Sequence, residues 1–127
     1  DIKDPFPDPK SEADKYARFP IDAQQQVWRY MLALNKAHLD RKYEGTVISF
    51  SHFVPRAGLP VWREPGVLKV SGCAELDDQI REVGSTCHVY GHTYFKYNQT
   101  HDGVTYINRP LEIVGEGSRE PLVCVFN

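Results

Sequence analysis

The sequence predicts an α+β domain of about five strands and two helices, and three observations carry that prediction. Two stretches with apolar residues three or four apart, Ala23 to Leu39 and Glu75 to Val83, each precede a short β-prone run, Thr46 to Phe50 and residues 87–90. Asp102-Gly103 lies between Phe95 to Thr100 and Val104 to Asn108, the turn chemistry and flanks of a two-residue hairpin. Pro121 to Phe126, nearly all apolar, supplies a last strand after the loop Gly115-Glu116-Gly117-Ser118.

In chain order, residues 1–21 carry Pro5, Pro7, Pro9 and Pro20 among Asp and Lys, which reads as an extended arm or linker, and residues 22–127 form the domain. Asp22 is placed to cap the first helix. Val27, Tyr30, Met31, Leu34 and His38 share one face of it, and Trp28 widens that face. His38 invites a reading as a ligand, but a cation at a helix C-terminus is already favoured by the dipole. Tyr43-Glu44-Gly45 closes the helix. The run Thr46 to Phe50 is apolar enough for a strand covered on both faces. Pro55-Arg56-Ala57-Gly58-Leu59-Pro60 then forms a loop at a strand end, where α/β frames usually build their sites. Pro65-Gly66 marks a turn, and Val67 to Val70 reads either as a short strand or as part of an insertion. Leu76, Ile80 and Val83 keep helical spacing in the second helix, and Pro110 ends the hairpin's pairing.

With 127 residues and 41% hydrophobic content there is material for one domain with a modest core. Fifteen Lys and Arg against seventeen Asp and Glu, with no block of like charge, leave no basic patch to follow a nucleic-acid backbone. No apolar run approaches the ~20 residues of a membrane span, and there is no signal-peptide core. The chain opens at Asp1 rather than Met, which fits a segment omitted upstream. Cys73, Cys87 and Cys124 are an odd number without a Cys-x-x-Cys pair. They therefore read as free thiols in a reducing, intracellular compartment rather than as a disulfide or zinc framework. Asn98-Gln99-Thr100 is a formal N-glycosylation acceptor and points the other way.

The chemistry gathers at two strand ends. Val47-Ile48-Ser49-Phe50-Ser51-His52 is a β-prone run that delivers a His at the brink of a Pro-containing loop, and Cys87-His88-Val89-Tyr90-Gly91-His92 does so again. His92 and Tyr94 are two residues apart and, in extended backbone, look into one space. Gly91 allows a sharp turn or a close approach. Arg56 reads first as a solvated loop residue, with a phosphate contact as the other reading because its planar fork suits paired oxygens. Thr93 and His88 read as structural, and His101, beside the turn, as solvated.

Ser51-His52-Phe53-Val54-Pro55 and Gly91-His92-Thr93-Tyr94 resemble the last two signature motifs of the calcineurin-like metallophosphoesterases, a His after a buried strand and a later Gly-His-x-His. The resemblance covers roughly residues 24–127. It implies the C-terminal half of a four-layer α/β/β/α sandwich and a site for two transition-metal ions, Mn, Fe or Zn. In it His52 and His92 would bind the second metal, and Tyr94 stands where the family's final His binds the first. A phenol, with an ordinary pKa of ~10, is a poor ligand at neutral pH unless a strongly acidic ion ionises it. The family's earlier motifs, Asp-x-His, Gly-Asp-x-x and Gly-Asn-His-Asp/Glu, do not occur here. Their Asp, His and Asn ligands are therefore expected from an N-terminal half, in the same domain or another chain, and this chain alone is expected to be inactive. The implied activity is hydrolysis of phosphomonoesters or phosphodiesters. The alternative is a non-catalytic relative, a binding module or subunit with a degenerate metal site.

Overall fold

β-branched and aromatic residues dominate the runs that pair in the sheet, and each run stops at a turn signal. The computed structural model describes residues 27–62, 70–110 and 125, and the chain divides into two compact units, residues 1–34 and 35–127. The predicted arm, the cap at Asp22, Val67 to Lys69, the strand from Pro121 and Cys124 lie outside the described residues.

In the first unit the described part is helix α1, Val27–Leu34. Met31 and Leu34, which the spacing put on the buried face, are exposed, while Trp28, Tyr30 and Leu32 are half-buried. Apolar residues surround this helix, so eight residues of periodicity do not select one face.

The second unit begins where the predicted helix breaks. Asn35 separates α1 from a single turn, α2, Lys36–Leu39, and its side-chain amide donates to Gln79 Oε1 at 2.8 Å. A four-stranded sheet follows, in the order β1-β2-β4-β3, with β1 at Val47–Ser51, β2 at Ser85–Tyr90, β3 at Tyr97–His101 and β4 at Val104–Asn108. β1 pairs parallel to β2 and β2 parallel to β4, while β3 runs antiparallel to β4. Helix α3, Glu75–Glu82, lies on the path from β1 to β2, as a parallel pair requires. The predicted hairpin closes at Asp102 and Gly103, both at positive φ (50° and 86°), the two left-handed positions of a type I′ turn.

One face of the sheet packs under α3. Tyr90, Val104 and Tyr106 meet Ile80 there, together with Val54 and Leu59 from the loop after β1, and Tyr106 is fully buried. β2 is central and mostly buried, as its composition predicts. β1 is not covered on both faces: it is an edge strand among the described residues, and Phe50 and Ile48 are 85% and 37% exposed. Both project from the face away from α3, beside Cys87 and Val89 of β2. Among the described residues no helix is long and apolar enough to cross a membrane.

Candidate functional site

The parallel register places Ser51 opposite Tyr90, so the two strand ends that deliver His52 and His92 leave the sheet side by side. The ladder continues one step, with the Gly91 N–H donating to the His52 carbonyl at 3.2 Å. The imidazoles then meet: His52 Nε2 lies 3.0 Å from His92 Nδ1, with ring planes at 82°. Phe53 packs against both rings, with centroids at 5.1 and 5.4 Å.

The backbone at His92 is held in an uncommon state. His92 has φ of +64°, and the Thr93 N–H donates to the Gly91 carbonyl at 2.8 Å, a γ-turn centred on a non-glycine residue. Such a conformation costs of order 1–3 kcal/mol and persists only where its surroundings enforce it. Asn108, buried at the end of β4, provides that enforcement: its amide donates to the Thr93 and Phe95 carbonyls at 2.8 and 3.0 Å. The Thr93 hydroxyl, buried as its structural reading requires, accepts from the Phe95 N–H at 3.1 Å. Gly91 has no left-handed backbone, and neither a sharp turn nor a close approach requires glycine there. A Cβ there would sit 3.4 Å from the His52 carbonyl and 3.7 Å from the ring's Nδ1.

Beneath the pair lies a third imidazole. His88 is 1% exposed, with Ser49 Oγ at 2.7 Å from Nδ1 and Ser51 Oγ at 3.0 Å from Nε2. Burial lowers its pKa from 6.5 to about 4, against a smaller opposing pull from Asp77. Ser51 donates its own proton to the Phe53 carbonyl at 2.7 Å. It therefore accepts from Nε2–H, while Ser49, whose hydroxyl donates to Ser85 Oγ at 2.8 Å, lies against Nδ1. This chain of bonds ties β2 to the backbone immediately after His52. His92 is also lowered, first by desolvation and second by repulsion from His52, so its neutral form is favoured.

Arg56 and Tyr94 are placed otherwise. Arg56 Nη1 donates to Asp102 Oδ2 at 3.1 Å and lies 3.9 Å from Asp77 Oδ2, its guanidinium near the Tyr106 ring. Arg81 donates from Nε to Asp77 at 3.1 Å and from Nη1 to the Asp102 carbonyl at 3.0 Å, and Tyr106 donates its phenol proton to Asp77. Arg56 thus joins the post-β1 loop, α3 and the hairpin in one ionic cluster. Tyr94 is 47% exposed. His101 is not simply solvated: it is half-buried, 2.5 Å from the Tyr97 hydroxyl, with the two rings stacked.

At 3.0 Å the two nitrogens share a hydrogen bond, one ring donating to the other; donors on one tetrahedral ion with bonds of ~2.1 Å lie about 3.4 Å apart, so a small outward shift of either ring would let both face one ion. Among the described residues no group of three or more His, Cys, Asp and Glu side chains converges on such a point. Sequence reasoning missed Asn108 and the Ser49–His88–Ser51 bridge. The available signal was polar residues at period two inside an otherwise apolar strand. Cys73 and Cys87 are free thiols, half-buried and buried respectively. Comparisons with protein-family models, with curated proteins and with solved structures find no match.

Proposed function

We propose that this chain is the C-terminal half of a calcineurin-like metallophosphoesterase domain, in which His52 and His92 hold one transition-metal ion, Mn, Fe or Zn. The observation that carries the reading is the 3.0 Å approach of two imidazole nitrogens from the ends of adjacent parallel strands, one of them on a strained backbone. Strain of that kind concentrates where geometry serves function. An ion bound there would lower the pKa of water and draw charge from phosphate oxygens.

The chain's own residues do the positioning. His92, biased toward its neutral form, presents a lone pair beside the His52 ring. Asn108 fixes the turn, and the His88 bridge fixes the strand end. The remaining Asp, His and Asn ligands come from an N-terminal half, in the same domain or another chain. The apolar face carrying Phe50 and Ile48 supports such a complement, because exposed apolar surface of this kind commonly marks an interface.

A second reading, a non-catalytic relative with a degenerate site, is favoured by Tyr94, a half-exposed phenol where the family's motif has a His. Metal analysis and a phosphodiesterase assay on the chain, alone and joined to an N-terminal half bearing the acidic motifs, separate the two. Metal-dependent hydrolysis only in the joined protein, abolished by His92→Ala, supports the enzyme. A joined protein that hydrolyses nothing supports the non-catalytic reading, and one that also binds no transition metal removes the enzyme and leaves the degenerate site.

A further inference from the structure

A cleft of about 880 Å³ opens beside the loops that carry the two histidines, with Val54, Leu59, Val61, Cys73 and Phe95 among its walls. Val54 follows His52 by two residues and Phe95 follows His92 by three, so both loops leave the imidazole pair and become the cleft. A residue spans at most ~3.3–3.6 Å, which keeps this wall within ~11 Å of the pair along either loop. The volume exceeds what a phosphate needs and falls in the range of small-molecule sites.

Arg56 also lines the cleft, but its charge is met by Asp102 and Asp77, so the space offers no free cation at that point. What it does offer is one aromatic ring in its wall, the half-buried Phe95, which packs at 5.1 Å against Trp62 outside the lining. A mostly apolar pocket with its one cation paired and an aromatic ring in its wall suits a planar ring.

We propose that this cleft seats the organic part of the phosphoester, an uncharged planar ring such as an aryl group or a nucleobase-bearing alcohol, while the phosphorus end lies at His52 and His92. The proposal rests on the phosphoesterase reading for its phosphate but not for its ring.

Cys73 is the reporter, a half-buried free thiol in the cleft wall whose pKa burial pushes up, with buried Cys87 as the internal reference. The full chain is treated with a thiol reagent in mildly alkaline buffer, and modification at Cys73 is read by mass spectrometry with phenol, phenyl phosphate or methyl phosphate present. Phenol and phenyl phosphate slow the reaction severalfold and methyl phosphate does not. Phe95→Ala raises the phenyl phosphate concentration for half-protection about fivefold, the share of one aromatic contact. Phe95→Tyr keeps the ring and retains wild-type protection, which separates lost contact from lost fold. Protection by methyl phosphate equal to that by phenyl phosphate, or none from either ring compound, overturns the proposal. Phenol carries no phosphorus, so protection by it, when the chain joined to an N-terminal half bearing the acidic motifs hydrolyses no ester, leaves the cleft standing and removes the phosphoesterase. Hydrolysis indifferent to the ring, with Cys73 unprotected, does the reverse.

Discussion

Acid should unfold this protein through His88. The unfolded chain takes up a proton on this imidazole below its ordinary pKa of 6.5, whereas the folded state refuses it until about 4, because the ring is buried between Ser49 and Ser51. Between those values the unfolded state binds more protons, so stability falls as pH falls and levels off below about 4. A depression of about 2.5 units at ~1.4 kcal/mol each gives a loss of ~3 kcal/mol over that window. Against a typical domain stability of ~5–15 kcal/mol, that loss is large. Urea unfolding at a series of pH values measures it directly, comparing the wild type with His88→Gln, which keeps hydrogen-bonding capacity without a titrating ring. The variant should lose most of the dependence between pH 6.5 and 4. Parallel curves for the two proteins, or a His88 NMR titration centred at its ordinary value, would refute the reasoning.

Three further outcomes follow from the same geometry. His92→Gly should be more stable than His92→Ala by about 1 kcal/mol in chemical unfolding, because glycine accepts the φ of +64° without a Cβ penalty, and neither variant should bind the ion proposed for the histidine pair. Asn108→Ala leaves the buried Thr93 and Phe95 carbonyls without their donor, so it should cost about 2–3 kcal/mol by thermal or urea denaturation and weaken metal binding as the His92 turn relaxes. Gly72→Ala should destabilise by roughly 2 kcal/mol or more, since a Cβ there overlaps the Val54 carbonyl; unfolding indistinguishable from wild type would show the contact to be yielding.

Local signals carried the parts of the fold that depend on near neighbours. Asp102-Gly103 specified its turn because two adjacent left-handed residues leave few alternatives, and Leu76 and Ile80 specified α3 because its inner face meets the sheet. The helix predicted to end at Leu39 does end there, but it is interrupted at Asn35, which periodicity of the apolar residues does not reveal. β1 was read as covered on both faces because an apolar run is the same string in a central strand and at an open edge. At the site, the two histidines were legible as strand ends followed by loops. Their meeting was not, since it depends on β1 and β2 being parallel neighbours. Arg56 looked like a solvated residue or an anion contact because its loop position suits either, and Asp77 and Asp102 are distant in sequence. The clamp by Asn108 and the bridge through His88 are likewise made across strands that the chain brings together only on folding.

The central claim is that His52 and His92 share one ion, and nitrogen chemical shifts report it atom by atom. The chain, labelled with ¹⁵N-histidine, is titrated with diamagnetic Zn²⁺ at neutral pH. The account predicts that His52 Nε2 and His92 Nδ1 respond together, with His88 unaffected, and that His52→Ala or His92→Ala removes the response of both. Shifts confined to one ring, or equal responses at His38 and His101, would contradict it.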